Sequence, residues 1–219
     1  AATCAMGLSL GEYSALCFAD AISFKDGVKV TKARGEAMQA AANAADSGMA
    51  SVIGLTKEKV AELCEAASEK SGENIEIANF LCKGNYAVSG SSKACDVVAE
   101  IAKPEFKARM VVKLAVAGAF HTDFMAPAVS ALEKVLDTIE IKKPRIPVIS
   151  NLDAKPHSDP DTIKKLLANQ VTSPVYWEES MESILEGDFE RAVELGPGKV
   201  TASILKRFKK SVACTNVEV

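Results

Sequence analysis

The sequence predicts an α/β body interrupted by a small α+β insert, and three observations carry that reading. Short apolar strands alternate with helical stretches at both ends of the chain. The texture changes after Asp46-Ser47-Gly48, where the elements run β-α-β-β-α-β from Met49 to Val116. Helical texture returns from Thr122, so residues 1–48 and 117–219 read as one body. The order within residues 49–116 is the split-βαβ arrangement of a ferredoxin-like subdomain.

Each element has its own signal. "AATCAM" (1–6) reads as a buried strand. Residues 10–19 read as a helix whose apolar side is Leu10, Tyr13, Ala15, Leu16 and Phe18. Residues 23–45 read as one helix or two, with Ser23 as N-cap, alanine-rich composition and Gly35 weakening the middle. In the insert, 49–54, 74–80, 85–90 and 106–116 read as strands. Residues 56–70 read as a helix with Val60, Leu63 and Cys64 in register, and 91–103 as a helix opened by a serine cap. Downstream, 122–139 is a helix with Phe124, Val129, Leu132, Val135 and Leu136 at helical spacing and Pro127 near its start, where proline is tolerated. A strand at 146–151, an aspartate-capped helix at 159–171, a strand at 190–199 running into Gly-Pro-Gly, and a helix at 200–211 complete the chain. There is no internal repeat and no low-complexity tract.

The bulk numbers exclude several functional classes. The 219 residues suffice for a real core. Apolar residues make up 48% and charged residues 25%, an ordinary globular composition. A net charge of -3 argues against a general nucleic-acid binder. No apolar run approaches the roughly 20 residues of a membrane span. Six cysteines (Cys4, Cys17, Cys64, Cys82, Cys95, Cys214) form no C-x-x-C pair, and there are only two histidines, which argues against a structural zinc site. They read as reduced, mostly buried thiols, and no metal is expected. Ala1 leads directly into an apolar strand, which would need covering neighbours, so the chain reads as a fragment.

The chemistry starts at "AMGLSLGEYSAL" (5–16), where Gly7, Ser9 and Gly11 make G-x-S-x-G. That motif needs a strand before it and a helix after it, and both are expected here. A sharp turn would lift the Ser9 hydroxyl out of the backbone. Side chains at 7 and 11 would collide with the neighbouring strand and helix. The following helix aims free N–H groups at the serine, and that of Leu10 is a natural oxyanion donor. The bland alternative is a glycine-rich connecting turn.

A serine nucleophile needs a base. His157, in "DAKPHSDPD", reads as a solvated loop residue. His121 follows "LAVAGAF" where a buried strand ends, and is the favoured base. Asp123 is too close in sequence to be an obvious orienter, and no other acid declares itself. A backbone or side-chain carbonyl can do the same orienting job.

"GLSLGEYSAL", "KARGEAMQAA", "IANFLCKGNYAVSG", "VAGAFHTDFM", "IPVISN", "NQVTSPVYW" and "ELGPGKV", in that order, resemble the malonyl-CoA:acyl-carrier-protein transacylases of bacterial and plastid type II fatty-acid synthesis. The wording is closest to plant and algal versions. The resemblance implies a hydrolase-like parallel-sheet body with the ferredoxin-like insert. It makes Ser9 the acylated nucleophile and His121 the general base, later general acid. Arg34, which unaided reads as a surface arginine, would hold the malonyl carboxylate, since a guanidinium fork binds a carboxylate bidentately. Gln170 matches the position whose backbone carbonyl orients the histidine, and Phe120 the bulky residue associated with malonyl selection. Leu10 and Met38 complete the implied substrate-binding set.

The chain departs from the family pattern at Leu8, where many bacterial members carry histidine, and at Tyr176, where glutamine is frequent. The family also carries a Gly-Gln-Gly segment upstream that supplies a second oxyanion donor. Loss of one such donor typically costs about a hundred- to a thousandfold in rate, so the chain alone is expected to be poorly active.

The implied partners are malonyl-CoA and acyl carrier protein, with no cofactor, no nucleic acid and no membrane. A monomer is expected, in the plastid stroma or otherwise the bacterial cytoplasm. Carrier proteins are acidic, so a basic patch is expected at Lys206, Arg207, Lys209 and Lys210, or at Lys142, Lys143 and Arg145, although for any one of these solvated charge is the blander reading. Two rivals stand beside this reading. One is a serine hydrolase or thioesterase, which would place an acid between serine and a late histidine. The other is a truncated, non-catalytic interaction domain.

Overall fold

A computed structural model describes residues 1–187 and 189–218. Its largest sheet belongs to the insert. β1 (Ala5–Met6), α1 (Leu10–Phe18) and α2 (Phe24–Asn43) come first. There follow β2 (Ser47–Ile53), α3 (Lys57–Ser71), β3 (Ile75–Cys82), β4 (Asn85–Ser91), α4 (Ser92–Ile101) and β5 (Met110–Lys113). These strands stand in the order β5-β2-β4-β3 with every pairing antiparallel, the ferredoxin-like arrangement. α3 and α4 start where their caps dictate. The Thr56 side chain accepts from the Lys59 N–H, and that of Ser91 from the Ala94 N–H. Gly72 ends α3 in the left-handed conformation. Val52, Val60, Leu63, Val88 and Val98 are fully buried in the core of this unit.

The body continues with α5 (Ala126–Leu136), β6 (Val148–Ile149), α6 (Pro160–Asn169), β7 (Val175–Tyr176), α7 (Trp177–Leu185), β8 (Arg191–Leu195), α8 (Val200–Phe208) and β9 (Ala213–Val217). Its parallel strands form two pairs, β1 with β6 and β8 with β9. One core gathers Tyr13, Leu16, Val30, Leu132, Leu136 and Leu167 from α1, α2, α5 and α6. A second holds Trp177, Met181, Ile204 and Leu205. β7 adds to the insert's sheet in parallel against β3, and Tyr176 stacks on Phe80 at 5.2 Å and 14°. That gives the Tyr176 departure a packing role at the seam between body and insert.

Several expectations change. The strand expected at 1–6 reduces to Ala5–Met6, and Ala1–Thr3 are exposed, because among the described residues β6 alone pairs with it. The 23–45 segment is a single helix, since the buried stripe Gly27, Val30, Arg34, Met38 and Ala41 runs unbroken past exposed Gly35. Leu10 and Phe18 lie on the exposed side of α1. Of 106–116 the strand proper is Met110–Lys113, paired with β2, with the Arg109 and Leu114 N–H groups donating to β2 carbonyls at its two ends. The 122–139 helix opens with a 3-10 turn (Asp123–Met125) beneath a Thr122 cap, and Pro127 sits in the first turn of α5. The 159–171 segment likewise passes into a 3-10 turn, Gln170–Thr172. β7, α7 and β9 were not anticipated. All six cysteines are free thiols, and three of them (Cys64, Cys82, Cys95) are buried.

Candidate active site

Ser9 stands between β1 and α1 with φ 50 and ψ -103. A positive φ costs a serine on the order of 1–2 kcal/mol, and the surrounding bonds hold it there. Its N–H donates to Asn151 Oδ1 at 2.6 Å, and Asn151 Nδ2 donates to the Gly7 carbonyl at 2.8 Å. Asn151 follows β6, so the strand beside β1 clamps both sides of the turn. Gly7 is required, because a Cβ there would lie 1.9 Å from the Gly11 carbonyl oxygen. Gly11 is not: a Cβ there meets nothing within 4 Å, which corrects the expectation of a clash at both glycines. The Leu10 N–H opens α1 and has no acceptor within the helix.

His121 comes from the opposite side, where the chain leaves the insert. Gly118 fits only without a side chain, since its Cβ would be 2.7 Å from that of Ala42. The insert grips the turn: Ser47 Oγ accepts from the Ala119 N–H at 3.0 Å, and Ser89 Oγ donates to the Phe120 carbonyl at 2.8 Å. His121, at φ 64 and buried, places Nε2 2.9 Å from Ser9 Oγ. Its Nδ1 is 2.8 Å from the Gln170 carbonyl oxygen, which can only accept. The proton therefore sits on Nδ1, and Nε2 is free to accept from the serine. Burial is the main force lowering the His121 pKa to about 4; the Gln170 carbonyl opposes it and the Arg34 charge adds to it. At neutral pH the ring is an uncharged base.

Arg34 sits on the buried stripe of α2, 6% exposed, and the surface reading of this residue is corrected. One amino nitrogen donates to Ser9 Oγ at 2.8 Å and to Gln170 Oε1 at 3.1 Å. The Tyr13 ring lies 5.6 Å away. The Arg34 Nε is buried and has no hydrogen-bond partner.

Ser9, His121, Arg34 and Gln170 thus share one hydrogen-bond network. Leu10 contributes backbone only, its side chain being exposed. Phe120 is half-buried between the body core and the insert, and Met38 lies in the body core one turn beyond Arg34. His157 makes no bond to this network and is paired with Asp153 at 2.8 Å. No cluster of three His, Cys, Asp or Glu side chains able to hold a metal occurs among the described residues.

Sequence reasoning passed over Glu12 and Asn151. Glu12 Oε2 accepts from the Asn151 N–H at 3.1 Å and from Gln170 Nε2 at 2.7 Å. Its signal was a charged residue at the buried register of a helix, beside Tyr13 and one turn before Leu16. That of Asn151 was a polar residue just beyond the carboxyl end of a parallel strand, where α/β ligand sites gather.

A turn-borne serine, a buried neutral histidine held by a carbonyl and a cation beside the hydroxyl, on an α/β scaffold, are the parts that acyl transfer through a serine uses. The chain belongs to the acyl transferase domain family, which it matches over residues 2–218. It is 37% identical over 215 residues to the malonyl CoA-acyl carrier protein transacylase of Bacillus subtilis, covering 97% of this chain and 67% of that protein. It is 42% identical over 214 residues to the mitochondrial malonyl-CoA-acyl carrier protein transacylase of Mus musculus, covering 92% of this chain and 55% of that protein. A solved malonyl-transacylase in complex with its type II polyketide acyl-carrier protein superposes with a TM-score of 0.92 at 32% identity, over 99% of this chain and 69% of that one.

Proposed function

We propose that this chain carries the acyl-serine chemistry of a malonyl-CoA:acyl-carrier-protein transacylase. Ser9 Oγ attacks the thioester carbonyl while its proton passes to His121 Nε2, so Gly7–Gly11 acts as a nucleophile elbow. The Leu10 N–H faces the developing oxyanion. The carbon–sulfur bond breaks, coenzyme A leaves, and its sulfur takes the proton from His121. The pantetheine thiol of the carrier protein then gives its proton to His121 and attacks the malonyl-serine; the ester carbon–oxygen bond breaks, His121 returns the proton to Ser9 Oγ, and the malonyl thioester leaves on the carrier. Ping-pong kinetics follow, and no cofactor takes part.

The observation that carries this reading is Arg34 beside Ser9 Oγ with a buried, unpartnered Nε. The desolvated guanidinium has no carboxylate paired with it among the described residues, and a substrate carboxylate would supply the counter-charge that acetyl thioesters lack. His121 is oriented by a carbonyl, whereas the hydrolase reading calls for an acid at that place.

For the carrier protein, the C-terminal basic cluster is the better candidate. Lys206, Arg207, Lys209 and Lys210 are exposed and have no carboxylate within ion-pairing distance among the described residues. Lys142 and Arg145 are already paired, with Glu140 at 3.3 Å and Asp20 at 2.8 Å. We place the protein as a monomer in the plastid stroma or, failing that, a bacterial cytoplasm, on motif wording alone.

The test is transfer. Malonyl-enzyme incubated with phosphopantetheinylated carrier protein should lose its acyl group to the carrier much faster than to water. Loss to water at the same rate would favour the hydrolase, and no acyl-enzyme at all the non-catalytic domain.

A further inference from the structure

We infer that Glu12 is a positioning residue that fixes the side-chain amide of Gln170 and, through it, the guanidinium of Arg34. This rests on the function proposed above. The Gln170 amide has two ends and two different neighbourhoods. Its Nε2 donates to Glu12 Oε2 at 2.7 Å and to the Ser9 carbonyl at 3.1 Å. Its Oε1 accepts from Arg34 at 3.1 Å. Rotating the amide by half a turn would set Oε1 against two acceptors and Nε2 against a guanidinium that only donates. With Glu12 present, one orientation is allowed.

Glu12 is placed for this task. It is 4% exposed, in the first turn of α1, three residues beyond the serine. The same Oε2 accepts from the N–H of Asn151, whose side chain holds Ser9 and Gly7. Burying a carboxyl is costly, and filling space there would not call for one. On its other side a cavity of about 10 Å³, room for a single water, is bordered by Glu12, Ser150 and His157. What Gln170 and Asn151 require of Glu12 is an acceptor oxygen of fixed reach, which the isosteric glutamine retains and alanine removes.

Glu12→Ala therefore removes the shorter of the two bonds that hold the amide, leaving Nε2 only the 3.1 Å bond to the Ser9 carbonyl, and loosens the acceptor that aims Arg34. In the complete gene product, the ratio of malonyl to acetyl loading on Ser9, read as initial rates by intact mass, should fall about tenfold, the order of one buried charge-assisted hydrogen bond. Glu12→Gln should restore the ratio to within about threefold of the parent, since it keeps the acceptor. Gln170→Ala combined with Glu12→Ala should lower the ratio no further than either change alone. A Glu12→Ala protein whose malonyl-to-acetyl ratio matches the parent, even at a lower overall rate, overturns the proposal, as does additivity of the two changes. Should Glu12→Ala fail to fold, Glu12→Gln and Gln170→Ala still decide: a ratio lost in Glu12→Gln contradicts it. If the parent loads neither acyl group, the functional reading fails, not this one. A crystal structure of Glu12→Ala then settles the matter by whether Arg34 keeps its contact with Gln170.

Discussion

The Arg34 guanidinium lies 2.8 Å from the Ser9 hydroxyl and donates to the oxygen that gives its own proton to His121. The cation is thus within one side-chain length of any acyl group built on that oxygen. Arg34→Ala should cut malonyl loading about a hundredfold while leaving acetyl loading within a few-fold of the parent. Arg34→Lys keeps the charge but loses the fork and should recover only part of the effect. Initial rates of adduct formation with the two thioesters check both.

His121, the proposed base, should set the acid limb. Its pKa is about 4 in the fold against an ordinary 6.5, so serine acylation should persist well below pH 6.5 and fall as pH drops toward about 4. Between these values the unfolded chain binds more protons than the folded one, so stability rises with pH and is lost on acidification through that window. Pre-steady-state loading against pH measures this, and an acid limb centred at 6.5 would contradict the burial argument.

Glu12 has the opposite sign. Burial raises its pKa from 4.5 to about 7, with Asn151 and Gln170 opposing. Across that window the folded state holds the extra proton, so ionisation of Glu12 destabilises the fold as pH rises. Glu12→Gln should remove this slope. Its melting temperature relative to the parent should climb between pH 5 and 7.5, measured by thermal denaturation at a series of pH values.

The two glycines of the serine turn should behave differently. Gly7→Ala drives a Cβ into the backbone of α1 and should abolish loading or folding. Gly11→Ala enters open space in a helix and should be neutral or stabilising by up to about 1 kcal/mol. Denaturation of the two variants gives the comparison.

Tyr176 should matter for stability and not for chemistry. Its ring stacks on Phe80 where β7 joins the insert. Tyr176→Ala should cost about 1 kcal/mol in denaturant unfolding beyond the area it exposes, with the malonyl-to-acetyl ratio unchanged.

The insert was legible because its elements carry local signals: Thr56 and Ser91 as caps, Gly72 as a stop, and alternating apolar residues in strands paired with sequence neighbours. β7 was not, since two residues joining β3 from nearly a hundred positions away leave no periodicity to read. Ser9 announced itself through its glycines. Arg34, read from its residues alone as a surface arginine, came through the resemblance, although its position carried a signal. The stripe Gly27, Val30, Arg34, Met38 and Ala41 has helical spacing with an arginine at its centre, and a charge in the middle of a buried face needs a reason. Gln170 came only through the resemblance and Asn151 was missed, because their roles depend on long-range approach. The carbonyl that orients His121 lies 49 residues away in sequence, and the amide oxygen that holds Ser9 lies 142 away.

The most direct measurement is the intact mass of the complete gene product after mixing with malonyl-CoA, beside its Ser9→Ala variant. Expected is one malonyl adduct on the parent and none on Ser9→Ala, with acetyl-CoA giving far less under the same conditions. A parent that stays unmodified, or an adduct that survives Ser9→Ala, would contradict the acyl-serine mechanism.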